Sequence, residues 1–339
     1  MHSTVSTRGR ITVALCLATA LVASSADAMP ISRLVIFGDS LADTGNNAAL
    51  VDLGLFGVPP GSRTPTPIPS SSFIPDLPYA TNRYSNGPVW TDQFAAKLGL
   101  GATNSFAGGT NFAFGGALTG PGGQVPSLLD QVGQFLGATG GVAPSNALYV
   151  VEGGGNDARD VFATAAGGGN PAPLIANYAA NVGSIMMELE AAGARNILLS
   201  DVPDIGVVPA ITALGIPASA FASSLAGQMN IALSAELMSL APGPGVDIHF
   251  LDLYGLLDAL IQDPAAFGFT NVTTACAADP ACIADPTGTF FWDGLHPTTA
   301  GATLIADAAL AAIPEPSSIV LLLAAALAGL ALRRRRPQS

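Results

Sequence analysis

The predicted fold of this chain depends on the segment Phe37-Gly-Asp-Ser-Leu-Ala-Asp-Thr-Gly-Asn-Asn47. It follows residues 32–36, a short apolar run of the length expected for a buried strand. A serine at the C-terminal end of a strand, ahead of a helix, lies where an α/β fold displays a nucleophile. Ser40 does not form the G-x-S-x-G elbow of α/β-hydrolases, because Gly38 and Ala42 lie two residues to either side. The segment alone also fits a strand followed by an ordinary turn. Assigning Ser40 as a nucleophile therefore requires partner residues elsewhere in the chain.

Residues 1–28 are predicted to be a secretory signal peptide that is not part of the fold. Arg8 and Arg10 give a basic start, residues 11–23 are apolar, and Ala26-Asp-Ala28 forms a cleavage site of the A-x-A type. The protein is therefore expected to be exported, to the cell envelope or the extracellular space.

Residues 313–339 form a second terminal segment. Ile313-Pro-Glu-Pro316 leads into the apolar residues 319–332, which end at Arg333–Arg336. A helix of this length reaches ~21 Å, short of a ~30 Å hydrocarbon core, and would cross it with local thinning and with the arginines cytoplasmic. The order of these features resembles the PEP-CTERM sorting signal of bacterial exported proteins. The resemblance implies transient inner-membrane anchoring and processing by an exosortase; a plain C-terminal anchor is the alternative.

Residues 29–312 are predicted to form one α/β domain with a substantial core. Six of the 12 Lys and Arg residues lie in the two terminal segments, against two of the 24 Asp and Glu residues. The domain therefore carries a net charge near −16 and no basic stripe. We expect neither nucleic acid nor anionic lipid head groups as steady partners.

Two cysteines remain once the signal peptide is removed. Cys276 and Cys282 bracket the short loop Ala-Ala-Asp-Pro-Ala, in a compartment that permits disulfides. We predict a disulfide between them. A metal site is poorly supported, because no histidine lies near the two thiols.

Strand and helix patterns alternate along the domain. This alternation predicts a three-layer α/β/α sandwich with a mainly parallel sheet and no internal domain boundary. After the opening strand, the predicted strands are 147–151, 196–200 and 246–251, and the predicted helices are 90–98, 127–136, 171–192, 218–240 and 299–312. Residues 54–77 are rich in Pro, Ser and Thr and are predicted to be a long surface loop, either a wall of the substrate groove or a mobile insertion.

Asp293 and His296 lie three residues apart in a predicted loop before the last helix. An acid at this spacing can fix the tautomer of the imidazole, although an aspartate capping the helix N-terminus is the alternative. The domain has one other histidine, His249, which lies mid-strand in an apolar run and is expected at the core or the sheet edge. The scarcity of histidines favours His296 as the base.

Five further segments complete a recognisable pattern with residues 37–47. They are Asn82-Arg-Tyr-Ser-Asn-Gly-Pro-Val-Trp90, Asn111-Phe-Ala-Phe-Gly-Gly-Ala117, Glu152-Gly-Gly-Gly-Asn-Asp157, Asp201-Val-Pro-Asp204 and Phe290-Phe-Trp-Asp-Gly-Leu-His-Pro-Thr298. In this order they resemble the blocks of the GDSL/SGNH hydrolase family. The first of the five resembles the lipase-like branch that includes plant GDSL lipases and thermolabile haemolysin. The resemblance implies the SGNH-hydrolase fold, which is flavodoxin-like.

The resemblance also implies the roles of individual residues. Ser40 would be the nucleophile, His296 its base and Asp293 the residue that orients the base. The oxyanion would be held by the backbone N–H groups of Ser40 and Gly116 and by the side-chain amide of Asn156. Gly115 is the alternative to Gly116, one position away. No metal or organic cofactor is required by this mechanism.

The leading hypothesis is an exported serine carboxylester hydrolase, a lipase or esterase, with phospholipid or lysophospholipid as possible substrates. The enzymatic alternative is a polysaccharide O-acetyl esterase. A non-catalytic surface or matrix protein is the third hypothesis, which the presence of Ser40, Asp293 and His296 disfavours. Residues 54–77 match no family pattern, so the sequence leaves the acyl pocket undefined.

Overall fold

A computed structural model describes residues 31–54, 78–80 and 82–313 of the chain. Residues Ile31–Ile313 form one compact unit. The predicted signal peptide, nearly all of the 54–77 loop and the sorting segment from Pro314 onward lie outside the described residues. Within the described residues, no helix combines the length and the apolar character needed to cross a membrane.

In the described residues, four parallel strands form the sheet. Their spatial order follows the chain: β1 (Arg33–Phe37), β2 (Ala147–Val151), β3 (Asn196–Ser200) and β4 (Asp247–Leu251). The first three strands are buried along most of their length, as expected for strands covered on both faces, whereas β4 lies at the edge and only Leu251 of it is buried. The all-parallel sheet confirms the predicted α/β class.

Residues 110–114 run along the other edge of β1. The N–H of Ile36 donates to the carbonyl of Thr110, and the N–H of Phe112 donates to the carbonyl of Ile36. Only the pair Ile36 and Asn111 forms a regular bridge here. The ladder stops after this pair because the N–H of Gly38 donates to the side chain of Gln131 at 2.8 Å, and not to the segment. On the side away from β1, Asn46 donates to the carbonyls of Asn111 and Ala113.

Counting residues 110–114 as the second strand of the chain gives the spatial order 2-1-3-4-5, the doubly wound order of flavodoxin-like folds. In such sheets a ligand binds at the carboxyl ends of the strands, where the order reverses. In this protein that position lies beyond the ends of β1 and β2. Ser40 follows β1 and Asn156 follows β2, so the topology places both at the expected crevice.

Helices cover both faces of the sheet. They are α1 (Asn46–Asp52), α2 (Trp90–Lys97), α3 (Leu128–Ala138), α4 (Gly155–Ala166), α5 (Ala172–Ala192), α6 (Pro209–Thr212), α7 (Ile216–Leu240), α8 (Leu253–Gln262), α9 (Pro280–Ala284) and α10 (Thr299–Ala312). The predicted helices agree with these bounds to within about two residues. Helix α7 begins before the predicted Ala218, because Pro217 fits in the first helical turn, where its missing N–H costs nothing.

Alternate strand residues point into two separate apolar layers. Phe37, Tyr149 and Leu199 pack with α3, α5 and α7 on one face. Ile36 and Val150 pack with α2 and α10 on the other. The two layers and the sheet between them make the predicted three-layer sandwich.

Candidate active site

Ser40, His296 and Asp293 form one hydrogen-bonded series in the structure. The Oγ of Ser40 lies 2.7 Å from Nε2 of His296, and Nδ1 of His296 lies 2.6 Å from Oδ2 of Asp293. All three side chains are buried, with Ser40 the most accessible at 8% exposed. The structure therefore brings together the three residues that the sequence selected, from positions 256 residues apart for Ser40 and His296.

The carboxylate of Asp293 accepts four hydrogen bonds. Besides His296 Nδ1, it accepts from the hydroxyl of Tyr79 at 2.7 Å and from the backbone N–H groups of Leu295 and His296, each at 2.7 Å. Burial favours the neutral acid, but the charge and hydrogen bonds of His296 and the Tyr79 hydroxyl outweigh it and lower the pKa of Asp293. An ionised carboxylate only accepts, so Nδ1 carries the imidazole proton and Nε2 can accept from Ser40.

Residues 82–86 connect the serine segment to the histidine loop. Arg83 donates to the carbonyl of Thr44 and forms a two-point ion pair with Asp92. Ser85 donates to the carbonyl of Pro297, directly after His296. The ring of Tyr84 lies against the imidazole of His296, with ring centroids 5.2 Å apart. The sequence singled out this motif without indicating that it fixes the position of the base.

Asp43 and Asn47 hold the glycine turn beside Ser40. Asp43 accepts from the N–H of Gly115 at 3.0 Å, and Asn47 donates to the carbonyl of Gly115 at 2.7 Å. Gly116 has a φ of +85°, a conformation that glycine adopts without strain. Among the described residues, no acceptor binds the N–H of Gly116 or the N–H of Ser40. Of Gly115 and Gly116, only the N–H of Gly115 is therefore already used by another group of the described residues.

Asn156 lies in the first turn of α4. Its amide nitrogen donates to the carbonyl of Ala117 at 3.0 Å and to Oδ2 of Asp39 at 3.3 Å. Its amide oxygen accepts from a guanidinium nitrogen of Arg159 at 3.2 Å. Both amide hydrogens therefore have acceptors before any substrate binds, and the longer contact to Asp39 is the weaker of the two.

Two further carboxyl groups are buried beside the serine. Burial raises the pKa of Asp39 to about 6, although the N–H of Leu41 and the charges of His296 and Arg159 oppose this shift. Burial and the neighbouring charge of Asp39 raise the pKa of Glu152 well above its usual value. One oxygen of Glu152 has no hydrogen-bond partner among the described residues. We therefore expect Glu152 to keep its proton to a higher pH than an exposed glutamate does.

A cavity of about 80 Å³ opens beside Ser40, His296 and Asn156. Apart from the polar groups at the serine end, its walls are mainly apolar, and they include Ile205, Val208, Leu253, Leu256, Leu257 and Phe291. These side chains come from the turn after β3, the start of α8 and the loop before His296. Asp201 connects the first two of these walls, because it directly follows β3 and accepts from the N–H of Leu253 at 2.7 Å.

The predicted disulfide between Cys276 and Cys282 is confirmed in the structure. Its loop supports the chain that leads to Asp293, since Cys276 donates to the carbonyl of Phe291 and Ala277 to that of Trp292. His249 lies half-buried on β4, at the edge of the described sheet and away from the cavity. Across the described residues, no group of three or more His, Cys, Asp or Glu side chains could hold a metal ion.

Residues 34–309 match the family described as GDSL-like Lipase/Acylhydrolase. The chain belongs to this family. As a GDSL-like lipase/acylhydrolase it is a hydrolase of the esterase type, and the predicted resemblance is confirmed. Residues 312–336 match the PEP-CTERM protein-sorting motif, which confirms the second resemblance.

Several relatives of this GDSL-like lipase/acylhydrolase are named as esterases. The chain is 29% identical over 304 residues to a GDSL esterase/lipase of Arabidopsis thaliana, covering 79% of this chain and 85% of the plant protein. It is 29% identical over 367 residues to esterase EstA of Pseudomonas aeruginosa, covering 91% of this chain but 51% of EstA. A thermolabile hemolysin of Vibrio parahaemolyticus is 29% identical over 297 residues, covering 82% of this chain and 62% of the hemolysin. The chain thus spans about half of EstA.

Replacing Glu152 by Gln tests the protonation of this buried acid. The raised pKa in the folded state means that the wild type loses stability as pH rises above ~4.3, the pKa of an exposed glutamate. Gln lacks this titration. Relative to the wild type, Glu152→Gln should therefore gain stability as pH increases from 4 to 8, measured by urea unfolding at each pH.

Glu188→Gln is the matched control, because Glu188 is an exposed residue of α5. It replaces a carboxyl group by the same amide, but at a position where the side chain is exposed to solvent. Two results would show that Glu152 is ionised in the folded protein. The free energy of unfolding could change with pH in the same way in both variants, or Glu152→Gln could become steadily less stable than the wild type as pH rises.

Proposed function

We propose that this GDSL-like lipase/acylhydrolase hydrolyses carboxylic esters through an acyl-enzyme on Ser40. The hydrogen-bonded series from Ser40 through His296 to Asp293 carries the proposal. As Oγ attacks the ester carbonyl carbon, its proton passes to Nε2 of His296. The tetrahedral intermediate then expels the alcohol, which takes that proton. A water molecule, deprotonated by His296, attacks the acyl-enzyme and releases the carboxylic acid and Ser40.

Three donors are proposed to hold the oxyanion of the tetrahedral intermediate. They are the N–H groups of Ser40 and Gly116, and the amide nitrogen of Asn156. Their support is geometric, since the two backbone donors have no acceptor among the described residues and Asn156 lies beside them at the cavity. Asn156 would exchange its long contact to Asp39 for the oxyanion.

The apolar cavity favours an acyl group longer than acetyl. Leucine, isoleucine and valine side chains next to Ser40 offer an acyl chain apolar surface to bury, at ~25 cal/mol per Å² removed from water. An acetyl group buries little of this surface, and a sugar would leave its hydroxyls without partners against such walls. We therefore propose acyl esters of lipids or similar apolar molecules as the substrate class, ahead of polysaccharide acetyl groups.

A chain-length series of p-nitrophenyl esters tests this proposal. The wild type should hydrolyse esters of acyl chains longer than acetyl with the higher kcat/KM. Leu256→Trp should fill part of the cavity and shift the preference towards acetate, because Leu256 lines it and is only half-buried. Ser40→Ala should abolish turnover at every chain length.

Leu310→Trp makes the same exchange on α10, at a residue 38% exposed outside the cavity lining, and it should leave the preference unchanged. A wild type that prefers acetate, or a Leu256→Trp variant with the wild-type preference, would reject the acyl pocket. Turnover that survives in Ser40→Ala would reject the catalytic assignment itself.

We also propose that the protein is exported and that its tail is removed during sorting by an exosortase-type protease. The match of residues 312–336 to the sorting motif supports this proposal. In a host that has the protease, the intact mass of the exported protein should lack the tail from about Pro314. A mass that includes Arg333–Arg336 would favour a permanent C-terminal anchor.

A further inference from the structure

Charged residues of opposite sign lie at the two ends of the Asn156 amide. Arg159 donates to its oxygen at 3.2 Å, and Asp39 accepts from its nitrogen at 3.3 Å. Asn156 and Arg159 are three residues apart on α4, which puts their side chains on one face of the helix. The carbonyl of Ala117 accepts the second amide hydrogen at 3.0 Å.

These contacts permit only one orientation of the amide. The oxygen and the nitrogen of an asparagine amide have nearly the same shape, so packing does not distinguish them, whereas hydrogen-bond partners do. A flipped Asn156 would turn its oxygen towards the Asp39 carboxylate and the Ala117 carbonyl, and its N–H groups towards the guanidinium of Arg159. Every one of the three contacts would then pair two donors or two acceptors.

Arg159 also opposes an unfavourable charge at the site. An ionised Asp39 lies close to the place where the oxyanion forms, and two negative charges in a buried site repel each other. Of the described residues that line the cavity, Arg159 is the one with a permanent positive charge. Its interaction with Asp39 favours the charged form of each group.

We propose that Arg159 is a positioning residue, which holds the amide nitrogen of Asn156 towards the oxyanion. The inference rests on the proposed ester hydrolysis and adds to it a residue that acts through Asn156. Its effect is expected in the transition state and not in ground-state binding, because the oxyanion exists only there.

Kinetics of Arg159 variants on a neutral p-nitrophenyl ester test the proposal. Removing an oxyanion donor outright typically costs ~10²–10³ in kcat, so loss of its orientation in Arg159→Gln should cost roughly tenfold or more, with KM nearly unchanged. Arg159→Lys keeps a charge and a donor and should recover part of the activity. Arg195→Gln is the control, because within the described part of the chain its side chain donates only to the backbone carbonyls of Ala194 and Glu190, away from the cavity.

A double-mutant cycle with Asn156→Ala separates positioning from other roles. If Arg159 acts chiefly through Asn156, adding Arg159→Gln to Asn156→Ala should lower kcat much less than Arg159→Gln does in the wild type, with its opposition to the charge of Asp39 accounting for the remainder. The same fold loss in both backgrounds would overturn the proposal. So would a loss confined to an anionic ester, such as a monoacylglycerol phosphate compared with its monoacylglycerol, because Arg159 would then bind the substrate directly.

Ser40→Ala keeps the two proposals distinguishable. If Ser40→Ala is inactive and the cycle is additive, the inference on Arg159 fails and the ester hydrolysis stands. If Ser40→Ala retains turnover, the proposed function fails, and the inference that rests on it falls too.

Discussion

The buried carboxylate of Asp293 is the interaction on which the catalytic geometry depends. It is fully buried, and an ionised carboxylate in such a place costs several kcal/mol unless hydrogen bonds satisfy it. Four donors do so, two of them backbone N–H groups in its own loop. The requirement therefore fixes the loop conformation, keeps the imidazole proton on Nδ1 and leaves Nε2 of His296 facing Ser40.

Other segments are held next to the loop of Asp293 and His296 by hydrogen bonds between side chains and the backbone. Ser85 binds the carbonyl after His296, while Asp43 and Asn47 hold the glycine turn on the opposite side of Ser40. Buried bonds of this kind are costly to leave unmade, at ~1–3 kcal/mol for each orphaned group. The polar residues around the cavity thus maintain the arrangement of the loops as much as they serve the chemistry.

The features that local sequence patterns determine could be predicted from the sequence. The contacts between segments that are far apart in the chain could not. The strands, most helix ends and the disulfide follow from short-range periodicity and spacing, and the Asp293–His296 pair lies within one loop. By contrast, Gln131 holds both backbone groups of Gly38 from 93 residues away, which no local pattern indicates. The raised pKa of Glu152 and the proposed role of Arg159 were missed for the same reason, since burial and charge partners exist only once β1, β2 and α4 are packed together.

The central claim is that Ser40 is the nucleophile activated by His296, and covalent labelling tests it most directly. The mature protein would be treated with a fluorophosphonate and digested, and the modified peptide identified by mass spectrometry, with His296→Ala as the comparison. The account predicts one adduct on the peptide containing Ser40, formed far more slowly in His296→Ala. An adduct on another residue, or ester hydrolysis that continues without any adduct on Ser40, would contradict it.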